Sequence, residues 1–429
     1  MSLKIEPLLN RNIIIEKTEN IYFEINKPKF EKIVLHLDKD YEKSNGYFTI
    51  LYINNEYKLY YRSCSLPVYK DKINKIYYGT EELAEHEYFC LATSIDGLNF
   101  EKKKYNIINY NNSTDNNILK HDFFCHNFYP FYDKKNNKYI AISGVQLYNN
   151  GIHLFESLDG INWIYIKKIL DESYILPGWN HNNHYDSLNC IVYNEKEDNY
   201  YIYLRDNKHN QRFVQYSITK DFNEFSKCKN IDINNNNDII LYTPGIFKYE
   251  NTDYYLSIPS VNYDNIYGNI NNSTLMISIN NINFNILTKD LFEKNNKSSM
   301  NINSIVSSSN NLKMYIYSHC NLTEDQYISC HSFEIDRIQK IICHDFGFIK
   351  TDLIQLFNKL YINYETFNKG YLDIELINKE GIIVLNSIKI YNHSYNYEVI
   401  WKDEKTITPD FYYIKFNMYN CNLYSFYYD

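Results

Sequence analysis

Alanine is almost missing from this chain of 429 residues, standing only at positions 84, 92 and 141. Long helices lose their best former, so none is expected. Lysine and arginine form no stripe, and the formal charge is −8. A nucleic-acid backbone, which is held by clustered cations, is therefore not an expected partner. No apolar run approaches the roughly 18 residues that a spanning helix needs, so no membrane span is expected. The opening residues, MSLKIEPLLNRNIII, carry no apolar signal-peptide core. The nine cysteines, at 64, 90, 125, 190, 228, 320, 330, 343 and 421, form an odd set without a C-x-x-C pair, most of them inside apolar runs. Buried free thiols in a reducing compartment such as the cytoplasm are the expectation.

What the sequence has instead is aromatic: 46 Tyr and 24 Phe, with Ile close behind. Aromatic and β-branched side chains suit the pleated, half-buried surface of a sheet, and the fold class that follows is all-β. The length allows two or three domains. Asn, Ile, Lys and Tyr share AT-rich codons, so single Asn residues are given no weight.

The sequence repeats itself. TSIDGLNF at 93–100 returns as ESLDGINW at 156–163, and more weakly as SITKDFNEF at 217–225 and SINNINFN at 278–285. The serines at 94, 157, 217 and 278 step by 63, 60 and 61 residues. Asp-Gly between apolar residues marks a tight turn, because Gly accepts positive φ; Asp96 and Asp159 are assigned to such turns as structural residues, and Asp133 likewise. A second pattern, an apolar run, a polar turn and a Tyr-rich run, begins at Tyr47, Phe128, Leu188, Thr243 and Ser304, which makes five hairpins. A hairpin followed by a further hairpin gives four antiparallel strands, the blade of a β-propeller, and five blades fit residues 46–345. Beyond 345 the rhythm changes to shorter alternating strands with turns at Lys369-Gly370 and Glu380-Gly381, predicting a separate β-sandwich over 346–429. Residues 1–45 are expected to lie along the propeller or to close it.

In a propeller the first strand of each blade lines the central channel and the second runs back beside it. Starts of first strands, ends of second strands and starts of third strands therefore share one face. First strands bring Glu42 to Asn45, His126 and Asn127, His184 to Asn189, Asp238 to Thr243, and Asn301 to Asn303 to that face. Second strands bring Arg62, Arg205 with Asp206, and His319, and a third strand brings His86 and Glu87. Glycoside cleavage takes two carboxyl groups flanking the scissile bond. Asp186 and Glu87 are the pair this placement selects, although a rim carboxylate also serves structurally by bonding a neighbouring backbone N–H. Arg62, His126, Asn127, His184, Asn189 and Arg205 are candidates to hold the sugar, and Trp179 to stack on it or simply to pack. His181, His184 and Asp186 spell H-x-x-H-x-D, but in a loop running into a strand that spacing does not turn both imidazoles to one side. No metal and no cofactor is expected.

Six stretches taken in order carry a family resemblance: NKPKFEKIVLHLDKDYEKSNGYFTILY, EYFCLATSIDGLNF, NNILKHDFFCHNFYPFYD, GIHLFESLDGINW, YDSLNCIVYNEKEDNYYIYLRD, and GYLDIELINKEGIIV with NLYSFYYD. Over almost its whole length the chain resembles proteins with a glycoside-hydrolase-like five-bladed propeller, related to the invertase-like and arabinanase-like enzymes, followed by a C-terminal β-sandwich. The resemblance implies that Asp186 is the counterpart of an Asp that opens a third-blade strand and orients the substrate or tunes the acid. Departures come with it. Where the family's fourth blade reads like Glu-His-Leu-Tyr-Thr this chain has IILYT, with Ile239 in place of the Glu proton donor and the shorter Asp238 one residue away. The family's Asp-Asp near the N-terminus appears as Arg11-Asn12, and a Glu expected in the fifth blade as Ser318. Losing a general acid costs about 10²–10⁴ in rate. Two readings stay open: a hydrolase that cleaves a glycosidic bond with Asp186, Glu87 and Asp238, and a catalytically degenerate glycan-binding or structural module. An oligo- or polysaccharide is the expected partner.

Overall fold

The structure, a computed structural model, describes residues 3–67, 69–74, 76, 78–145, 150–174, 185–208, 211–234, 239–261, 272–292, 304–320 and 326–429. It is all-β, with five propeller blades and a C-terminal β-sandwich. Blade one is built from Ser44–Ile53, Glu56–Cys64, Glu87–Ser94 and Ile118–Lys120, and blade two from Phe128–Asp133, Lys138–Val145, Gly151–Ser157 and Ile164–Leu170. Blade three comprises Cys190–Asn194, Asn199–Lys208, Gln211–Thr219 and Lys229–Asn230. Blade four runs Ile246–Lys248, Tyr255–Ser257, Leu275–Ser278 and Asn283–Thr288, with Asp232–Asn234 added in parallel at its outer edge.

Blade five is closed by a strand from the other end of the sequence. Val306–Ser307, Lys313–Cys320 and Tyr327–Glu334 are followed outward by Lys29–His36. The residues before that strand go elsewhere: Lys4–Glu6, Ile14–Lys17 and Ile21–Ile25 all pair into the C-terminal sheet. That ten-stranded sheet already includes Gln339–Cys343, which lies on the propeller side of the break expected at 345. It wraps a core that includes Ile341, Ile362, Leu372, Ile374, Ile414, Phe416 and Phe426.

The repeated letters are one turn made several times. In blade one the Ser94 hydroxyl accepts from Gly97 N at 3.0 Å, and Asp96 accepts from the N–H groups of Leu98 and Asn99, both at 2.8 Å. Ser157, Asp159, Gly160, Ile161 and Asn162 repeat these bonds in blade two. Gly97 and Gly160 hold φ of +76° and +74°, which glycine adopts without steric penalty. Asp96 and Asp159 are thus turn-formers; burial alone would raise their pKa, but the N–H groups they accept from bring both to about 2. In blade three the equivalent turn opens at Thr219, whose Oγ1 accepts from Phe222 N at 3.0 Å, and not at Ser217 as the sequence repeat suggests.

These turns also explain part of the tyrosine. Tyr317 of blade five donates to Gly97 O of blade one at 2.8 Å, Tyr60 of blade one to Gly160 O of blade two at 2.9 Å, and Tyr203 of blade three to Asn281 O of blade four at 2.7 Å. Each ring is buried between blades while its hydroxyl satisfies a turn carbonyl that would otherwise be orphaned. The two lobes are tied by the same device. Tyr254 of blade four donates to Glu6 at 2.7 Å, and Tyr249 of blade four and Tyr427 of the sandwich both donate to Asp336. The eight cysteines whose side chains are described are free thiols, all buried, and no helix among the described residues is long and apolar enough to cross a membrane.

Candidate functional site

In three of the blades two positions recur at the same end of the sheet: two residues beyond a buried tyrosine of the second strand, and a site two residues before its cross-strand partner in the third. They hold Arg62 and Glu87 in blade one, Arg205 and Arg212 in blade three, and His319 and Gln326 in blade five. Pairing of Arg62 with Phe89 puts Glu87 on the same face, so the guanidinium and carboxylate meet in a short ion pair.

From there an alternating row of charges crosses three blades. His126, in the turn that leads into blade two, gives Nδ1 to Glu87 at 2.8 and 3.0 Å, and its Nε2 lies 3.2 Å from Asp186 at the mouth of blade three. The other Asp186 oxygen sits 3.1 Å from Arg205. Asn127 bonds Gly144 O at 3.0 Å and reaches Asp186 at 3.5 Å. Asn189 accepts from Arg205 N and donates to Tyr185 O, both at 3.1 Å, which locks the segment that carries Asp186. Gly144 makes that approach possible, since a Cβ there would come within 2.1 Å of Tyr185 O.

The two carboxylates differ in access. The Glu87 side chain is 1% exposed, whereas Asp186 keeps 33% of its side-chain surface open although it is crowded by protein on every other side. Burial alone would raise the pKa of both. Arg62 and His126 outweigh it at Glu87 and bring the carboxyl to about 2. His126 and Arg205 hold Asp186 far below the usual carboxylate range. His126 is desolvated and lies near Arg62, both of which oppose protonation, but Glu87 and Asp186 prevail and raise its pKa. An imidazolium donates from both nitrogens, and that is what its two carboxylate neighbours accept.

Sequence placement expected Arg62, Glu87, His126, Asn127, Asp186, Asn189 and Arg205 at one rim, and the structure joins these seven residues in one contact network. Glu87 does not face Asp186 across an open cleft, however: the His126 ring stands between them and both Glu87 oxygens are engaged. Trp179, His184 and Asp238 lie outside the described residues, as do His181 and Asn301 to Asn303. Ile239, standing where the resemblance puts a Glu, is buried in the apolar core beside Leu241. Arg11 and Asn12 are not at the channel. They form a turn leading into the strand at Ile14, which pairs into the C-terminal sheet, and the Arg11 guanidinium lies over Phe23. Ser318 is buried in blade five. His319 is 0% exposed, and neither ring nitrogen has a hydrogen-bond partner among the described residues; burial depresses its pKa to about 3, so the ring is neutral. Among the described residues no three His, Cys, Asp or Glu side chains cluster as metal ligands would.

Tyr47 and Arg212 escaped the sequence argument, and Tyr242, which falls within the 238–243 segment placed on the channel face, was not singled out there. Tyr47 is buried with its ring 6.3 Å from that of His126, and burial, Tyr242 and Asp186 together raise its pKa. Tyr242 opens blade four beneath two cations, Arg212 at 4.2 Å and Arg205 at 5.9 Å from its ring centre. Arg212 would have been found by aligning the blades on Glu87. Tyr47 had no such signal beyond the Asn45-Gly46 step before it.

Among the solved structures that resemble this protein, two superpose with a TM-score of 0.50 or more. One is described simply as a glycoside hydrolase and superposes with a TM-score of 0.51 at 12% identity, over 72% of this sequence and 92% of that one. The other, a complex described by the names BT0996 and RGII, gives 0.50 at 12% identity with the same coverage. At that identity the likeness establishes the fold. No family model and no curated protein matches the sequence.

Proposed function

We propose that this is a carbohydrate-active propeller of the glycoside-hydrolase type, and that the mouth of its channel holds a glycan. The observation that carries the proposal is Asp186, an ionised carboxylate, one-third open, with one oxygen on His126 and the other on Arg205. Its free lone pairs are suited to accept sugar hydroxyls, and Tyr47, Tyr242 and Asn127 supply the aromatic and amide surroundings that sugars use. The fold shared with a glycoside hydrolase supports the same reading.

Sugar capture needs nothing further. Hydrolysis is a second reading, favoured by the same carboxylate, because a group held ionised next to a sugar ring can stabilise the positive charge of an oxocarbenium-like transition state. It also needs a proton donor. Glu87 is unsuited, being buried, ionised and engaged at both oxygens; Asp238 is the remaining acid expected from the sequence. The test is a glycan array on the full chain, followed by hydrolysis assays on each hit, with Asp186→Asn beside the wild type. We expect binding that falls at least tenfold in Asp186→Asn. Binding unmoved by that substitution refutes the site, and turnover that survives in wild type but not in Asp186→Asn and Asp238→Asn decides for the hydrolase.

A further inference from the structure

The C-terminal sandwich has a gap in its sheet. Its last strand, Asp410–Tyr428, runs unbroken for 19 residues. On one side it pairs with Gly347–Lys350 as far as Met418, and with Ile341–Cys343 from Cys421 onward. On the other side it pairs Tyr419 with Tyr371, and next Cys421 with Thr366. At Asn420 both neighbours therefore leave the ladder, residues 344–346 on one side and 367–370 on the other. The backbone shows the strain, with left-handed φ of 46° at Asn368, 65° at Lys369 and 44° at Asn420. Bulges of this kind redirect side chains and cluster beside binding sites.

A groove of about 550 Å³ lies over the gap, lined among others by Glu24, Lys340, His344, Phe367, Asn368 and Asn420. Phe367 is 45% exposed. Glu24 and Lys340 neutralise one another at 2.8 Å. Asn422 is committed to Glu365, while Asn368 and Asn420 make no side-chain hydrogen bond among the described residues. Aromatic rings border the gap: Phe346, 65% exposed, leans on Tyr419 at 4.8 Å and Tyr371 at 6.1 Å, and Tyr22 lies 6.5 Å from His344.

The groove offers a flat apolar ring, uncharged amides that both donate and accept, and no net charge. A polyanion would need unpaired cations and a basic peptide unpaired carboxylates, and the lining provides neither in excess. A neutral sugar matches it, with an apolar C–H face for the ring and hydroxyls for the amides. We infer that this groove is a second glycan-binding site, taking one ring of a neutral polysaccharide on Phe367 with hydroxyls on Asn368 and Asn420. It shares no residue with the channel mouth.

Affinity electrophoresis of the full chain in soluble xylan, arabinan, galactan, mannan and β-glucan tests it, using wild type, Asp186→Asn, and Phe367→Ala, Phe367→Leu and Phe367→Tyr each combined with Asp186→Asn so that only the groove is read. The expected result is that at least one polysaccharide retards Asp186→Asn, that adding Phe367→Ala or Phe367→Leu weakens this retardation at least tenfold, and that adding Phe367→Tyr preserves it. Melting temperatures measured alongside show which variants are folded; Phe367→Leu keeps the apolar bulk should the alanine variant unfold. Binding by the folded double variant carrying Phe367→Leu within twofold of Asp186→Asn overturns the inference, while the channel site is judged separately by comparing Asp186→Asn with wild type. A wild type retarded by none of the five overturns both.

Discussion

Replacing Glu87 by Gln keeps the side chain's shape and removes the negative charge held between Arg62 and His126. At 1% exposure, water cannot take its place. In the folded protein the carboxyl is lowered from 4.5 to about 2, with burial opposing ionisation and the two cations overcoming it. At about 1.36 kcal/mol per tenfold in proton affinity, the ionised form stabilises the fold by about 3 kcal/mol at neutral pH. Removing one partner of a buried pair costs about 3–5 kcal/mol, a figure of the same size. Because the folded pKa lies below the unfolded one, this contribution is complete above pH 4.5 and is lost as pH falls toward 2. Guanidinium unfolding at pH 7 should therefore find Glu87→Gln less stable by about 3 kcal/mol, with the gap to wild type closing as the pH is taken below 4.5. The variant should also let the His126 pKa fall, so that Asp186 faces a weaker donor. A gap that stays constant with pH, or one under about 1 kcal/mol at pH 7, would refute the account of Glu87 as the anion on which Arg62 and His126 both depend.

Two further outcomes follow from buried groups. His319→Leu removes an imidazole whose two nitrogens are buried without partners among the described residues; since each unsatisfied group costs about 1–3 kcal/mol, the melting temperature should rise by a few degrees, and a fall would show that the ring is satisfied in the free protein. Glu6 is pushed up to about 7, mainly by burial at the junction of blade four and the sandwich, against the bonds it accepts from Tyr254 and Leu8. A carboxyl that keeps its proton in the fold but loses it when unfolded makes stability fall as pH rises from 4.5 to 7; denaturation midpoints should show that slope in wild type and a flatter one in Glu6→Gln, and equal slopes would refute it.

The propeller was legible because its turns are chemical. Ser, Asp, Gly and Asn at 94, 96, 97 and 99 each make a bond or hold an angle that few residues can, so they recur at 157, 159, 160 and 162. Where other residues do the same work, as Thr219 and Phe222 do in blade three, the match slipped by two. The closing strand was not assignable in register: Lys29–His36 and Tyr327–Glu334 are joined by backbone bonds about 300 positions apart, and backbone bonds leave no mark on side-chain choice. The same holds for the N-terminal strands that cross to the sandwich, which is why Arg11 and Asn12, matched by resemblance to an Asp pair, are found in a turn leading into that sheet.

For the site, strand ends gave the rim but not the state of each carboxylate. Glu87 and Asp186 occupy comparable places in the sequence pattern, each at the start of a strand or just before one. What separates them is the neighbour across the sheet. Glu87 stands two residues from the partner of Arg62, on the same face, and is clasped by it; Asp186 precedes its strand by four residues and meets Arg205 and His126 only at its back, which leaves one edge open. A glycosidase acid must hold a proton and reach the leaving oxygen. Glu87 does neither, and Asp186 stays ionised, so neither carboxylate is suited to be the acid, and under the proposed function Asp186 acts as the acceptor of sugar hydroxyls. On that proposal cleavage turns on a proton from a third group, and comparison of Asp186→Asn with Asp238→Asn on the same glycan separates a glycan binder from a hydrolase whose acid is Asp238.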